Sequence, residues 1–143
     1  MQSEMHDHFM RLALNEAKKG LGRTSPNPCV GAVIVKDGQV ISKGYHEKAG
    51  MPHAEINAIR KAEHPDLIIG ASIYVTLEPC NHTGRTPPCS KAIVESGIER
   101  VIVGMTDPNP AVNGTGIEYL RDHGVSVVSG VLQQECEAIN YPF

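Results

Sequence analysis

The chain has 143 residues, 41% hydrophobic and 20% charged, with a formal net charge of −3. That balance suits a globular fold and excludes a disordered chain, and the length fits one compact domain spanning 1–143. The mild negative charge gives no global basic field for nucleic acid, and no run of about 18 apolar residues offers a membrane span. The mixed N-terminus MQSEMHDHFMRLAL lacks the apolar stretch of a secretory signal, so the expected location is cytoplasmic.

Taken in chain order, Met5, Phe9, Leu12, Ala13 and Ala17 recur at helical spacing and predict an amphipathic first helix closed near Gly20. The Gly- and Pro-rich stretch LGRTSPNP then predicts a loop. Val30–Lys36 and Val40–Tyr45 are β-rich runs around Asp37-Gly38, a strong hairpin signal. After Pro52, residues His53–Glu63 predict a helix whose alanines at 54, 58 and 62 form a small-residue face suited to close packing on a sheet. Ser72–Leu77 predicts a central strand running into the loop EPCNHTGRTPPC, whose paired prolines suit the start of a helix ending at Gly97. Arg100–Met105 predicts a buried strand, and TDPNPAVNGTG a loop. A helix over Ile117–His123, a short strand over Val125–Ser129 and a last helix over Leu132–Asn140 complete the chain. Strands alternating with helices after an initial hairpin argue for an α/β sandwich with a mixed sheet.

Four cysteines, Cys29, Cys80, Cys89 and Cys136, in a chain without a secretory signal read as metal or catalytic candidates rather than a disulfide framework. Cys29 and Cys136 stand apart from other reactive residues and read as small buried hydrophobes. Cys80 follows a strand, while Cys89 and His53 stand at helix starts, where the helix dipole favours thiolate over thiol. Zinc takes His nitrogen and Cys sulfur, and catalytic sites use three protein ligands with a fourth position left for water. Glu55, two residues past His53, is placed to take a proton from water and return it to a leaving group. A His-x-Glu pair alone is a weak signal. Its conjunction with strand-Glu-Pro-Cys and a Pro-Pro-Cys helix start is a far more specific one.

That order of residues resembles the nucleoside and nucleobase deaminase superfamily, whose His-x-Glu…Pro-Cys-x-x-Cys pattern is general. Here eight residues separate Cys80 from Cys89 in place of two. With TSPNPCVGAVIV, GYHEKAGMPHAE, TLEPCNHTGRTPPC and the downstream DPNP, the chain is similar over residues 6–140 to the deaminase domain of the bifunctional riboflavin-biosynthesis deaminase/reductase family. The resemblance implies a three-layer α/β/α sandwich of the cytidine-deaminase type around a mixed sheet of about five strands. It implies hydrolysis of the 2-amino group of a phosphoribosyl diaminopyrimidine to the corresponding uracil and ammonia. His53, Cys80 and Cys89 match the family's ligands for one zinc ion per chain, and Glu55 matches its proton shuttle. Asn27, His46, His82, Arg85, Asp107 and Asn109 match positions used around the substrate, with Arg85 the natural partner of an anionic phosphate.

Five of those six, all but Arg85, also have a structural reading. Asn27 and Asp107–Pro110 can be rigid turns, His46 can cap the hairpin, and His82 can bond within the cysteine loop. Gly114 and Gly116 read as backbone hinges rather than a phosphate cradle, and His6, His8, His64 and His123 as surface residues. The family's longer members continue into a C-terminal reductase domain, so NADPH is expected only where such a domain is attached, and a homo-oligomer is left open. Two rivals remain: another deaminase of the same fold, acting on a nucleobase, a nucleoside or tRNA, and a non-catalytic zinc-stabilised module, for which His82 would be the fourth ligand.

Overall fold

Apolar residues at consecutive positions make three strands that are buried on both faces: β1 (Gly31–Lys36), β3 (Ser72–Leu77) and β4 (Arg100–Met105). The more exposed β2 (Gln39–Tyr45) and β5 (Ser126–Ser129) flank them in the order β2-β1-β3-β4-β5. β1 runs antiparallel to both β2 and β3, while β3, β4 and β5 are parallel, so the sheet is mixed. The computed structural model describes residues 2–20, 29–47, 53–79, 89–106 and 114–139. The β1–β2 turn is Asp37-Gly38, both in the left-handed region at φ 52° and 78°, as a two-residue hairpin loop requires.

Alternation along the strands feeds two separate cores. Ala32, Ile34, Ile73, Val75, Val101 and Val103 face a cluster completed by Ala54 and Ala58 of α2 (Ala54–Lys61), Ile93 of α3 (Cys89–Ser96) and Leu120 of α4 (Thr115–Asp122). Val33, Val35, Tyr74 and Ile102 face the other way, against Phe9, Met10, Ala13 and Leu14 of α1 (Gln2–Lys18) and Cys136 of α5 (Gln133–Ala138). Three layers result, as expected. Each fully buried aliphatic side chain contributes about 1.5–3 kcal/mol to holding them together.

Three local expectations need correction. The buried stripe of α1 is Phe9, Met10, Ala13, Leu14 and Ala17, whereas Met5 is 43% exposed. This rotation brings His6 to the buried side: it is 9% exposed and its Nδ1 lies 2.7 Å from the Tyr74 hydroxyl, so it is no surface residue. α2 also stops short of Glu63, because Ala62 turns extended and Pro65 holds His64 out of the helical region. A short 3-10 turn over Pro65–Ile68, which periodicity does not reveal, then leads into β3.

Candidate active site

α2 is pressed onto β2 by the absence of side-chain bulk on both elements. A Cβ at Gly44 would lie 2.5 Å from the Ala58 nitrogen and 2.6 Å from the Ala54 oxygen, so only glycine admits the helix at this distance. Two side-chain bonds fix the rotation of the helix. The Ser42 hydroxyl donates to the Ala58 carbonyl, and Asn57 Nδ2 donates to the Tyr45 carbonyl at 2.8 Å. The alanine face read from the sequence is the face in contact.

So held, the start of α2 presents two of the expected residues. His53 is the N-cap, in extended conformation (φ −72°, ψ 167°), and Glu55 lies in the first turn, 3% exposed. His46, one residue past β2 and 2% exposed, is anchored by its own N–H on the Val30 carbonyl at 3.0 Å. Its ring meets that of His53 edge to face, with centroids 5.2 Å apart. Cys89 opens α3 from the far side of the sequence, 2% exposed, and its Sγ lies 3.2 Å from His53 Nδ1.

That contact tests the expected metal. A tetrahedral zinc with bonds of about 2.1 Å to nitrogen and about 2.3 Å to sulfur holds the two atoms about 3.6 Å apart. The His53–Cys89 spacing is within a few tenths of an ångström of that value, and imidazole with thiolate is a donor pair zinc favours. Among the described residues no third His, Cys, Asp or Glu joins them to make a metal-holding group. Glu55 and His46 therefore stand beside the pair rather than in a ligand set with it. Cys80, Asn27, His82, Arg85, Asp107 and Asn109 lie outside the described residues.

The remaining cysteines are structural. Cys29 is 6% exposed and Cys136 fully buried, and burial, with smaller contributions from Glu135 and Glu137, pushes the Cys136 thiol up to about 12. A thiol so held does not ionise near neutrality.

Sequence reasoning missed one residue, Glu78. It follows β3 and is 5% exposed, and its carboxylate accepts the N–H groups of Gly114 (2.9 Å), Gly116 (3.0 Å) and Ile117 (3.2 Å) at the start of α4. Gly114 (φ 83°) and Gly116 thus cradle an anion supplied by the chain itself. The available signal was a carboxylate directly after an apolar strand, where burial demands donors.

Among the described residues no helix is long and apolar enough to cross a membrane. Residues 3–105 match the sequence family described as the cytidine and deoxycytidylate deaminase zinc-binding region. The chain is 52% identical over 143 residues to riboflavin biosynthesis protein RibD of Aquifex aeolicus, covering all of this chain and 40% of that one. It is 48% identical over 140 residues to the diaminohydroxyphosphoribosylamino-pyrimidine deaminase of Buchnera aphidicola, covering 97% of this chain and 94% of that protein. The crystal structure of the Thermotoga maritima diaminohydroxyphosphoribosylaminopyrimidine deaminase/5-amino-6-(5-phosphoribosylamino)uracil reductase superposes with a TM-score of 0.92 at 50% identity. That match covers 98% of this chain and 40% of the other. The chain spans 40% and 35% of the length of the first curated relatives it matches.

Proposed function

The chain belongs to the cytidine and deoxycytidylate deaminase zinc-binding family and to its riboflavin-biosynthesis branch, and we propose that it is a hydrolytic deaminase of a phosphoribosyl pyrimidine. The substrate is 2,5-diamino-6-(5-phosphoribosylamino)pyrimidin-4(3H)-one, and the products are 5-amino-6-(5-phosphoribosylamino)uracil and ammonia. The observation that carries this reading is the convergence of His53 and Cys89 at 3.2 Å, with Glu55 buried one residue into the same helix start.

His53, Cys89 and Cys80 would hold one zinc ion. Bound there, zinc would supply a Lewis acid that lowers the pKa of water to about 7. The protein's own part is proton movement and positioning. Glu55, withdrawn from bulk water, takes the proton of the attacking water and delivers it to the departing amine, work that contributes about 10²–10⁴-fold in rate. His46, whose ring packs against that of His53, and Asn27, His82, Asp107 and Asn109 offer donors and acceptors to the pyrimidine and ribose, and Arg85 takes the phosphate. Residues 1–143 form a single deaminase domain that works in the cytoplasm, and NADPH belongs to a reductase domain where one is attached.

The test is ammonia release from the diaminopyrimidine ribotide, with and without a zinc chelator, for wild type and Glu55→Ala. Turnover is expected to stop on chelation and to fall about 10²–10⁴-fold in the variant. A fully active Glu55→Ala protein, or a zinc ion found closed by four protein ligands, would overturn the mechanism.

A further inference from the structure

Glu78, directly after β3, joins that strand to the end of β4 and to the start of α4. Its own N–H donates to the Met105 carbonyl at 2.8 Å, at the end of β4, and its carboxylate binds Gly114, Gly116 and Ile117 at the start of α4. Those two attachments lie on either side of segment 107–113, which carries Asp107 and Asn109. One residue therefore ties together both stems of that segment. Two residues further along the chain stands Cys80. Between them the Pro79 carbonyl is pressed on α4: a Cβ at Gly116 would lie 2.0 Å from that oxygen and 3.3 Å from Glu78 Cγ.

The carboxylate suits this role better than a neutral group would. Its oxygens accept all three N–H groups, the bonds are charge-assisted, and the positive end of α4 faces the negative charge. An amide of the same size has a single acceptor oxygen and turns its NH₂ toward one set of these donors, leaving them unpaired in a buried place.

We propose that Glu78 is a positioning residue, which sets the approach of Cys80 to the zinc and fixes Met105 and Gly114, the described residues that flank segment 107–113. The inference rests on the reading of Cys80 as a metal ligand and of Asp107 and Asn109 as substrate-facing. One carboxylate then bears on both zinc binding and substrate binding, so disturbing it affects both.

Glu78→Gln removes the charge, and Gly116→Ala wedges the same junction from its other side. Gly97→Ala serves as control: Gly97 has φ 87° and contacts Ile69 at the opposite end of the parallel strands, so this variant destabilises the fold away from the site. Zinc affinity is measured on apo-protein by competition with a chromogenic chelator, and KM and kcat on the zinc-loaded protein, with variants compared at equal distance below their thermal midpoints. Glu78→Gln and Gly116→Ala should each weaken zinc binding by about 10–100-fold, as loss of a group supporting a ligand does, and raise KM more than they lower kcat. Gly97→Ala should leave both unchanged. Wild-type zinc affinity and KM in the two junction variants, or an equal loss in Gly97→Ala, would overturn the inference. Wild-type protein that takes up no zinc would overturn the preceding reading and this one with it.

Discussion

Buried polar side chains carry most of what is specific to this protein at the scale of single residues. Glu55, Glu78, His46 and His6 are all at or below 9% exposure, in a chain whose other buried residues are mainly aliphatic. Glu55, His46 and Glu78 are assigned to the proposed site and its support, whereas His6 lies on the α1 face with Tyr74. Burial, and behind it the charge of Arg100, hold the His6 imidazole below its usual 6.5, against a smaller opposing pull from Asp7. The folded state therefore favours the neutral ring. Its contribution to stability is complete above 6.5 and is lost as pH falls from 6.5 toward the depressed folded value. Thermal unfolding should show the wild-type midpoint declining from about pH 7 to about pH 5, and a shallower decline in His6→Phe; parallel curves would contradict this. His53, Glu55 and Cys89 were singled out in the sequence because metal-assisted hydrolysis uses few side-chain types, and the structure brings His53 and Cys89 within 3.2 Å. His6 and Glu78 were not, because each is defined by partners 68 and 36 or more positions away.

Among elements, the seating of α2 on β2 decides whether the site exists. Gly44 leaves no room for a methyl group, and Ser42 and Asn57 fix the rotation of the helix that carries His53 and Glu55. Gly44→Ala should lift α2, costing about 1–3 kcal/mol as overpacking does, and turnover should fall by more than the unfolded fraction explains. Urea unfolding together with a rate measured on the folded fraction checks this; unchanged turnover would separate helix seating from activity. Much of the element order was legible because local rules govern it. Asp37-Gly38 allows only a tight hairpin, alternation marks the strands, and alanines every fourth residue mark the close face of α2. The 3-10 turn at Pro65–Ile68 and the true buried face of α1 were set by tertiary contacts, which override a five-residue stripe drawn from periodicity alone.

For the whole molecule, the mixed sheet separates two cores of different purpose. The α1–α5 face is a packing layer, and the other face carries the helix starts at which His53 and Glu55 stand on α2 and Cys89 on α3. Because those starts belong to α2 and α3, the described half of the site is assembled within this chain. Deamination should accordingly need no reductase half, even though several relatives are more than twice as long. The most direct measurement is ammonia release by the zinc-loaded protein without NADPH, from the phosphoribosyl diaminopyrimidine, cytidine, guanine and a tRNA stem-loop in parallel. Rapid turnover of the phosphoribosyl diaminopyrimidine, with little from the other three, is the predicted result; preference for any of the others, or a requirement for NADPH, would contradict it.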